Sequence, residues 1–284
     1  MIILPFQFRK ILAKDSLFIK VKEIHKNDHA YFQKYADNLT NQSGRAKSKK
    51  SGKGRSYADY LIRLIIFYQE FFDNEINDLL TFTALKEIEK VVLSEEFKKY
   101  NENENRFPNA TFNCYISCVT HLNAEKEDVV DLQLNESLDE TINGEDNTNT
   151  IIEVAQIRKE KIKNRGVLTY PRNIEESLEA KRRSDWKCEV NPNHITFISN
   201  ANKKPYIEAH HLIPMSAQDY FEYTIDFADN VVCLCPNCHR KIHHAIDEEK
   251  KEILKSLFKK RERKYYKYGI DINYRKLLRF YEIF

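Results

Sequence analysis

The feature that most constrains this chain is a run of thiols and imidazoles between Cys188 and His243. It reads Cys188-Glu-Val-Asn-Pro-Asn-His194, then Glu208-Ala-His210-His211-Leu-Ile-Pro214, then Asn230-Val-Val-Cys-Leu-Cys235-Pro-Asn-Cys238-His239-Arg-Lys-Ile-His243. The Cys235-x-x-Cys238 spacing places two thiolates on one tetrahedral ion, and a closed site needs two more ligands. Cys188 and His194 complete the set, because Pro192 and Asn193 make a turn that brings them together. The expectation is a Cys3His zinc site that fastens the loop after Trp186 to the turn before a helix. Such a site supplies much of the folding free energy of a small module. Cys233 alternates with Cys235 along a strand, so it should point away as a core thiol.

A second ligand set lies inside the first. Tyr206–Pro214 reads as a strand ended by proline, and Asn230–Leu234 as the return strand of a hairpin. His239 and His243 are four residues apart and so share one helix face. With His210 from the strand they converge on one divalent ion and leave positions open for water and a phosphate oxygen. His211, beside a ligand, is placed to take a proton from an attacking water. Taken singly, each histidine has a plainer reading: His25 and His244 as surface residues, His121 as a core residue on a helix face. The joint spacing of His210, His211, His239 and His243 argues against coincidence.

The 284 residues suggest two ordinary domains, and Gly (6) and Pro (7) are scarce enough to favour helices over loops. No secretory signal is visible at MIILPFQFRK. The longest apolar stretch, Leu61–Tyr68, is interrupted by Arg63 and far short of the roughly 20 residues that span a bilayer. The expected location is the cytoplasm, with no membrane partner, where six cysteines favour metal over disulfides. A net charge of +3 is too small to establish a nucleic-acid partner, and its distribution says more.

Along the chain, Ile2–Phe8 and Leu17–Val21 read as short β-like runs and Asp28–Leu39 as helix. The segment NQSGRAKSKKSGKGR carries six cations (Arg45, Lys47, Lys49, Lys50, Lys53, Arg55) and no acid, and reads either as a solvated loop or as an arm that contacts DNA phosphates. Ser56 suits the N-cap of a helix over Tyr57–Phe72. Further helices are expected over Asn77–Leu93 and Asn109–Leu122, with Cys114 and Cys118 as small core residues on one face. Residues 124–148 carry nine acids and one lysine and read as a partly disordered acidic linker. A helix is expected to resume at Ile151 (IIEVAQIRKEKIKN), followed by helices over Asn173–Ser184, Asp247–Tyr268 and Tyr274–Tyr281. The resulting division is a domain over 1–123, a linker over 124–165 and a domain over 166–284.

The elements HHLIP, Asn230 and CPNCHRKIH resemble the HNH endonucleases, whose core is the ββα-metal fold. The Cys-x5-His start, KPYIEAHHLIP and CPNCHRKIHH resemble the HNH restriction endonucleases among them, including modification-dependent ones. The resemblance covers about residues 170–284 and implies an α+β chain: a helix-rich N-terminal domain and a C-terminal HNH nuclease domain with a structural zinc. It implies His211 as general base and Asn230 as the residue that holds the loop and orients the base. It implies His210 and His239 as ligands of the catalytic ion, and His243 as the extra helix ligand of bacteriocin-type members. Cys188, His194, Cys235 and Cys238 match the structural zinc, although many family members have Cys-x-x-Cys at the first half-site.

The implied cofactors are Zn2+ for structure and Mg2+ or Mn2+ for catalysis, with Ni2+ also suited to imidazole ligands. The implied reaction is hydrolysis of double-stranded DNA, in which His211 deprotonates water, the 3′ oxygen leaves and a 5′-phosphate remains. Arg240 and Lys241 adjoin the ligands and are expected to hold neighbouring phosphates, and the basic segment 250–267 to track the backbone. One such site cuts one strand, so double-strand cleavage implies a homodimer or two nicks. The leading expectation is a restriction enzyme. Two alternatives stand beside it: a nuclease effector of another antiviral system switched on by a partner or ligand, and a non-catalytic zinc module that binds nucleic acid.

Overall fold

The apolar run broken by Arg63 becomes the helix that the first half of the molecule is built around. The computed structural model describes residues 7–42, 53–141, 151–164 and 167–283. Two compact units divide the chain, one ending at Leu122 and one running from Asn123 to Ile283. Among the described residues no helix is long and apolar enough to cross a membrane.

The first unit is helical: α1 (Ser16–Ile24), α2 (Lys26–Gln42), α3 (Lys53–Phe72), α4 (Phe82–Val92), α5 (Glu95–Asn103) and the start of α6 (Phe107–Thr141). In α3, Leu61, Ile62, Leu64, Ile65, Ile66 and Phe67 are all buried, as befits a helix covered on every side. Arg63 is accommodated because its Nε donates to the Ile11 carbonyl at 2.9 Å and its guanidinium lies over the rings of Phe18 and Tyr60. Phe8 packs in an aromatic cluster with Phe67, Phe71, Phe97 and Tyr100. Cys114 and Cys118 are buried core residues, as expected.

Several sequence expectations give way to tertiary contacts here. Leu17–Val21 lies within α1 and not in a strand, with Phe18 and Val21 buried. Helix α3 begins at Lys53, so Ser56 is inside it and not its cap. The early start brings Gly54 against α2, where its N–H donates to Asp37 Oδ1 at 3.0 Å. A Cβ at Gly54 would lie 2.5 Å from Asp37 and from the Gln33 carbonyl oxygen, so this approach requires glycine. Helix α4 starts later than the periodicity suggests, because Thr81 accepts the Ala84 N–H and caps it. His25 is buried, not on the surface, and burial lowers its pKa.

The acidic linker is the largest departure. Residues 124–141 of the predicted 124–165 linker continue α6, and 142–150 lie outside the described residues. Asn135 of α6 donates from Nδ2 to the Ala209 carbonyl at 3.1 Å and accepts the Ala209 N–H at 2.7 Å, so its amide completes a strand edge. The helix expected from Ile151 is absent as well. Residues 151–161 run extended, tied by Ala155 N–H to Lys267 O, Arg158 N–H to Glu222 O and Thr224 N–H to Gln156 O. The Arg158 side chain reaches the carbonyls of Asp219 and Phe221 at 3.0 and 2.7 Å. A short antiparallel pair follows, β1 (Ile162–Asn164) and β2 (Val167–Thr169).

The rest of the second unit contains α7 (Ile174–Arg183), the strands β3 (Glu208–His211) and β4 (Val231–Leu234), and helices α8 (Pro236–His244), α9 (Asp247–Lys259) and α10 (Tyr274–Phe280). Asn173 caps α7 by accepting the Glu175 N–H. The strands pair antiparallel with Glu208 opposite Leu234 and His211 opposite Val231. Ile207, Ala209, Val231 and Cys233 pack on Leu178 and Ala180 of α7. Strand alternation therefore turns Glu208 and His210 to the other face, toward α8. Cys233 is a core thiol as expected, its pKa pushed up to about 12 by burial. The basic helix expected to reach Tyr268 stops at Lys259, and a 3-10 turn over Tyr265–Tyr268 ends at Gly269 with φ 67°.

Candidate metal centres and active site

Helix α8 serves both candidate ligand sets, because its N-terminus holds two thiols and its face toward β3 two imidazoles. Cys235 is its N-cap and Pro236 occupies its first turn, where a missing N–H costs nothing. The turn after Cys188 forms as expected: Asn193 N–H donates to Asn191 Oδ1 and His194 N–H to Asn191 O. This brings His194 Nδ1 to 3.4 Å from Cys235 Sγ and 3.5 Å from Cys238 Sγ. The ligand atoms of Cys188, His194, Cys235 and Cys238 all lie within 4.8 Å of one another. Zinc bonds of about 2.3 Å to sulfur and about 2.0–2.1 Å to nitrogen give a tetrahedral N–S edge of about 3.5 Å, so the donor set fits Zn2+.

The thiols are tuned unequally. Burial pushes the Cys188 thiol up, but backbone N–H groups of Cys235, Asn191 and Val190, with His194, outweigh it and leave it at about 7. Burial and the neighbouring sulfurs raise Cys238, the expected cost of gathering thiols before a cation neutralises them. Glu189 fixes this loop to the hairpin: its Oε1 accepts the Cys233 N–H at 2.9 Å and its Oε2 is paired with Arg261.

On the other flank of α8, His210 Nδ1 lies 3.2 Å from His239 Nε2 and 3.3 Å from His243 Nε2, and the latter two are 3.2 Å apart. The tautomers follow from the outer partners. Tyr281 OH donates to the Leu212 carbonyl at 3.0 Å, so at 2.8 Å it accepts a proton from His210 Nε2. Glu208 Oε2 accepts from His239 Nδ1 at 2.7 Å. The inward nitrogens of His210 and His239 then carry lone pairs that face each other, an arrangement a divalent cation resolves. Tetrahedral Zn–N bonds imply edges of about 3.3–3.4 Å, close to the spacings present. Burial, then the crowding of His243, His239 and His211, holds His210 well below the ordinary imidazole range, so it is a neutral donor.

His211 is buried and outside this triangle; its Nε2 faces Asp226 Oδ1 at 2.9 Å. Asp226 Oδ2 in turn accepts the Asn173 N–H at 2.6 Å, which fixes the carboxylate to the start of α7. Asn230 is also buried and locks the loop between the strands. Its Oδ1 accepts the Ile213 N–H at 2.9 Å, and its Nδ2 donates to the carbonyls of Ile213 and Ile225 at 3.1 and 2.8 Å. A small cavity lined by Ile152, Tyr170, Met215, Gln218 and Asp226 lies against this loop.

The structure brings together both candidate ligand sets; the candidate DNA-binding cations are spread along the chain. Arg45, Lys47, Lys49 and Lys50 lie outside the described residues. Lys53 and Arg55 begin α3 in the first unit, where Arg55 lies 3.9 Å from Asp59. Arg240 is exposed on α8, whereas Lys241 is engaged with Glu249 at 2.6 Å. Sequence reasoning assigned no role to Glu208, Asp226 or Tyr281. Glu208 had a signal, since it precedes His210 by two and shares its face. Asp226 and Tyr281 lie far along the chain from the groups they hold and had none.

A family model for HNH endonucleases matches residues 194–245. The type IV methyl-directed restriction enzyme EcoKMcrA of Escherichia coli (strain K12) is 26% identical over 134 residues, which cover 47% of this chain and 42% of that enzyme. The chain thus matches less than half the length of this relative.

Proposed function

This chain carries an HNH endonuclease domain in its second half, and from that premise we propose that it is a restriction endonuclease cutting double-stranded DNA. The observation that carries the reading is the triangle of imidazole nitrogens from His210, His239 and His243, 3.2–3.3 Å apart beside the His211–Asp226 pair. His210, His239 and His243 would hold a divalent ion, Mg2+ or Mn2+ with Ni2+ also suited, and Cys188, His194, Cys235 and Cys238 a zinc. The catalytic ion, when bound, supplies charge stabilisation at the scissile phosphate.

His211 is the general base in this reading. Asp226 accepts a hydrogen bond from His211 Nε2–H, which holds the tautomer whose Nδ1 lone pair accepts a proton from water. Asn230 keeps the loop that carries Asp226 in place. Glu208 and Tyr281 orient the rings of His239 and His210. The 3′ oxygen departs and the product carries a 5′-phosphate. Residues 1–123 then recognise DNA or assemble subunits, and two chains in a homodimer account for double-strand cleavage by a cytoplasmic enzyme. EcoKMcrA is methyl-directed by name, which favours a modified base as the target here.

The test uses methylated and unmethylated plasmid incubated with purified protein and Mg2+ or Mn2+, beside His211→Ala. Discrete fragments with 5′-phosphate ends, lost in the variant and confined to methylated DNA, are the expected result. Equal cutting of both plasmids would remove methyl dependence, and uncut DNA under all conditions would remove the restriction reading.

A further inference from the structure

The residues between His194, the last candidate zinc ligand of the loop, and strand β3 are tied by backbone hydrogen bonds yet present apolar side chains to water. Tyr206 N–H donates to Phe197 O at 2.8 Å, Ser199 N–H to Lys204 O at 2.9 Å, and Lys203 N–H to Ser199 O at 3.0 Å. Ile198 and Pro205 bridge across the loop, and the Phe197 and Tyr206 rings stack with centroids 4.6 Å apart. On this frame Ile195 is 97% exposed, Phe197 62% and Ile198 59%. A fixed loop that keeps three large apolar side chains in water marks a contact surface.

The surroundings say what it contacts. From His194 to Tyr206 the sequence has Lys203 and Lys204 and no carboxylate. Lys204 Nζ is held 3.1 Å over the Trp186 ring, and Lys203 Nζ donates to Asn200 Oδ1 at 2.7 Å, so both cations have defined positions. An apolar tip flanked by two cations, with no acid of its own and Asp185 close to Lys204 behind it, complements a base stack bordered by phosphates. The loop also leads directly into the metal triangle. Glu208 and His210 share one face of β3, and Tyr206, just before the strand, donates from its OH to Glu208 Oε1 at 3.3 Å while Glu208 holds His239. The four residue steps from Tyr206 to His210, if extended, span about 13 Å, roughly four base-pair rises.

We propose that the loop Ile195–Lys204 is a DNA wedge: Ile195, Phe197 and Ile198 enter a base step about four base pairs from the cut and unstack it, while Lys203 and Lys204 contact the flanking phosphates. A zinc held by His194, Cys188, Cys235 and Cys238 would give the wedge a rigid root. This rests on the endonuclease reading above.

The experiment uses full-length protein made inactive by His211→Ala, with and without Ile195→Ser/Ile198→Ser, and duplexes bearing 2-aminopurine at successive positions around the mapped cut. The parent protein should raise 2-aminopurine fluorescence on binding, most strongly about four base pairs from the cut. The double variant should bind about tenfold more weakly and lose the rise, with zinc content and melting curve unchanged. Ile195→Asp, at a side chain with no packing to lose, should do the same. Unchanged affinity and fluorescence in these variants would overturn the wedge, as would a loss of self-association in sedimentation with DNA binding intact. A wild type that neither binds nor cuts DNA would defeat the endonuclease reading itself, a result distinct from a nuclease indifferent to this loop.

Discussion

Helix α3 hides six consecutive-turn apolar residues between Leu61 and Phe67, whereas β3 and β4 have four residues each and converge on thiols and imidazoles. The first unit is held by area: helices packed around one central helix, with Phe8 joining the aromatic cluster at its side. The second unit is also cored, by residues such as Leu212, Phe227, Leu254, Leu257, Tyr265 and Phe280, but its long loops are fixed in addition by Glu189, Asp226, Asn230 and the four candidate zinc ligands. Apolar packing tolerates exchange of one hydrophobe for another, while ligand geometry tolerates almost none. The second unit thus adds to its core a set of polar contacts and candidate ligands that leave little freedom for substitution.

The largest expected effect breaks this contrast directly. Zinc removal by a strong chelator, or Cys235→Ser, should unfold the second unit, since structural zinc contributes on the order of 10 kcal/mol to such modules. Trp186 is the one tryptophan in the sequence and lies in the second unit, so its fluorescence should change while most far-UV helical signal from the first unit persists. Loss of helix in parallel with fluorescence would mean the units do not fold by separate means.

Next in size, His211→Ala should lower the cleavage rate by about 10²- to 10⁴-fold with zinc content unchanged, as read in single-turnover assays. Leu64→Ala should cost about 2–5 kcal/mol in the first unit, seen as an earlier helical melting transition with Trp186 fluorescence unaffected at ambient temperature. Glu208→Ala should weaken Mn2+ binding about 10- to 100-fold by calorimetry, because His239 loses the carboxylate that fixes its tautomer. An unchanged Mn2+ affinity would mean that Glu208 does not orient the ligand.

The smallest effect concerns acid. Burial pushes the Asp59 carboxyl up, but hydrogen bonds from His29 and Lys22 outweigh it and hold its pKa at about 2, below the ordinary 3.8. A carboxylate with a depressed folded value stabilises above the unfolded value, and that contribution is lost as pH falls from about 4 to about 2. Solvent screening of the partly exposed pair reduces this to on the order of 1 kcal/mol, so Asp59→Asn should lower stability at pH 7 by that order and flatten the acid limb of the first unit's denaturation curve. An acid limb unaltered by the variant would mean that Asp59 has no such role.

Much of the candidate site was legible because its candidate metal ligands carry their spacing in the sequence. Cys235-x-x-Cys238 and His239-x3-His243 are local, so helix geometry alone groups them, and His210 follows from the hairpin. What holds those ligands was less legible. Tyr281 meets His210 across 71 residues and Asp226 meets His211 across a loop, so neither has a periodicity to betray it. In the fold, α3 was legible from its apolar run, but its start was not, because Gly54 is placed by Asp37 on another helix. The acidic stretch reads as disordered by composition, yet α6 continues through it to Thr141, and Asn135 pairs with Ala209 74 residues away. Likewise residues 151–161 have the composition of a helix and are drawn out by Glu176, whose Oε1 accepts the Ile152 N–H, and by carbonyls of 218–222.

The most direct test of the central claim is cleavage of supercoiled plasmid by wild type and His210→Ala, with zinc measured in the same samples. The account predicts nicked or linear DNA from the wild type only with added Mg2+ or Mn2+. It predicts at least a hundredfold slower cutting by the variant, with the zinc bound at Cys188, His194, Cys235 and Cys238 retained in both. Cutting by His210→Ala at the wild-type rate, or by the wild type with no catalytic ion, would contradict it.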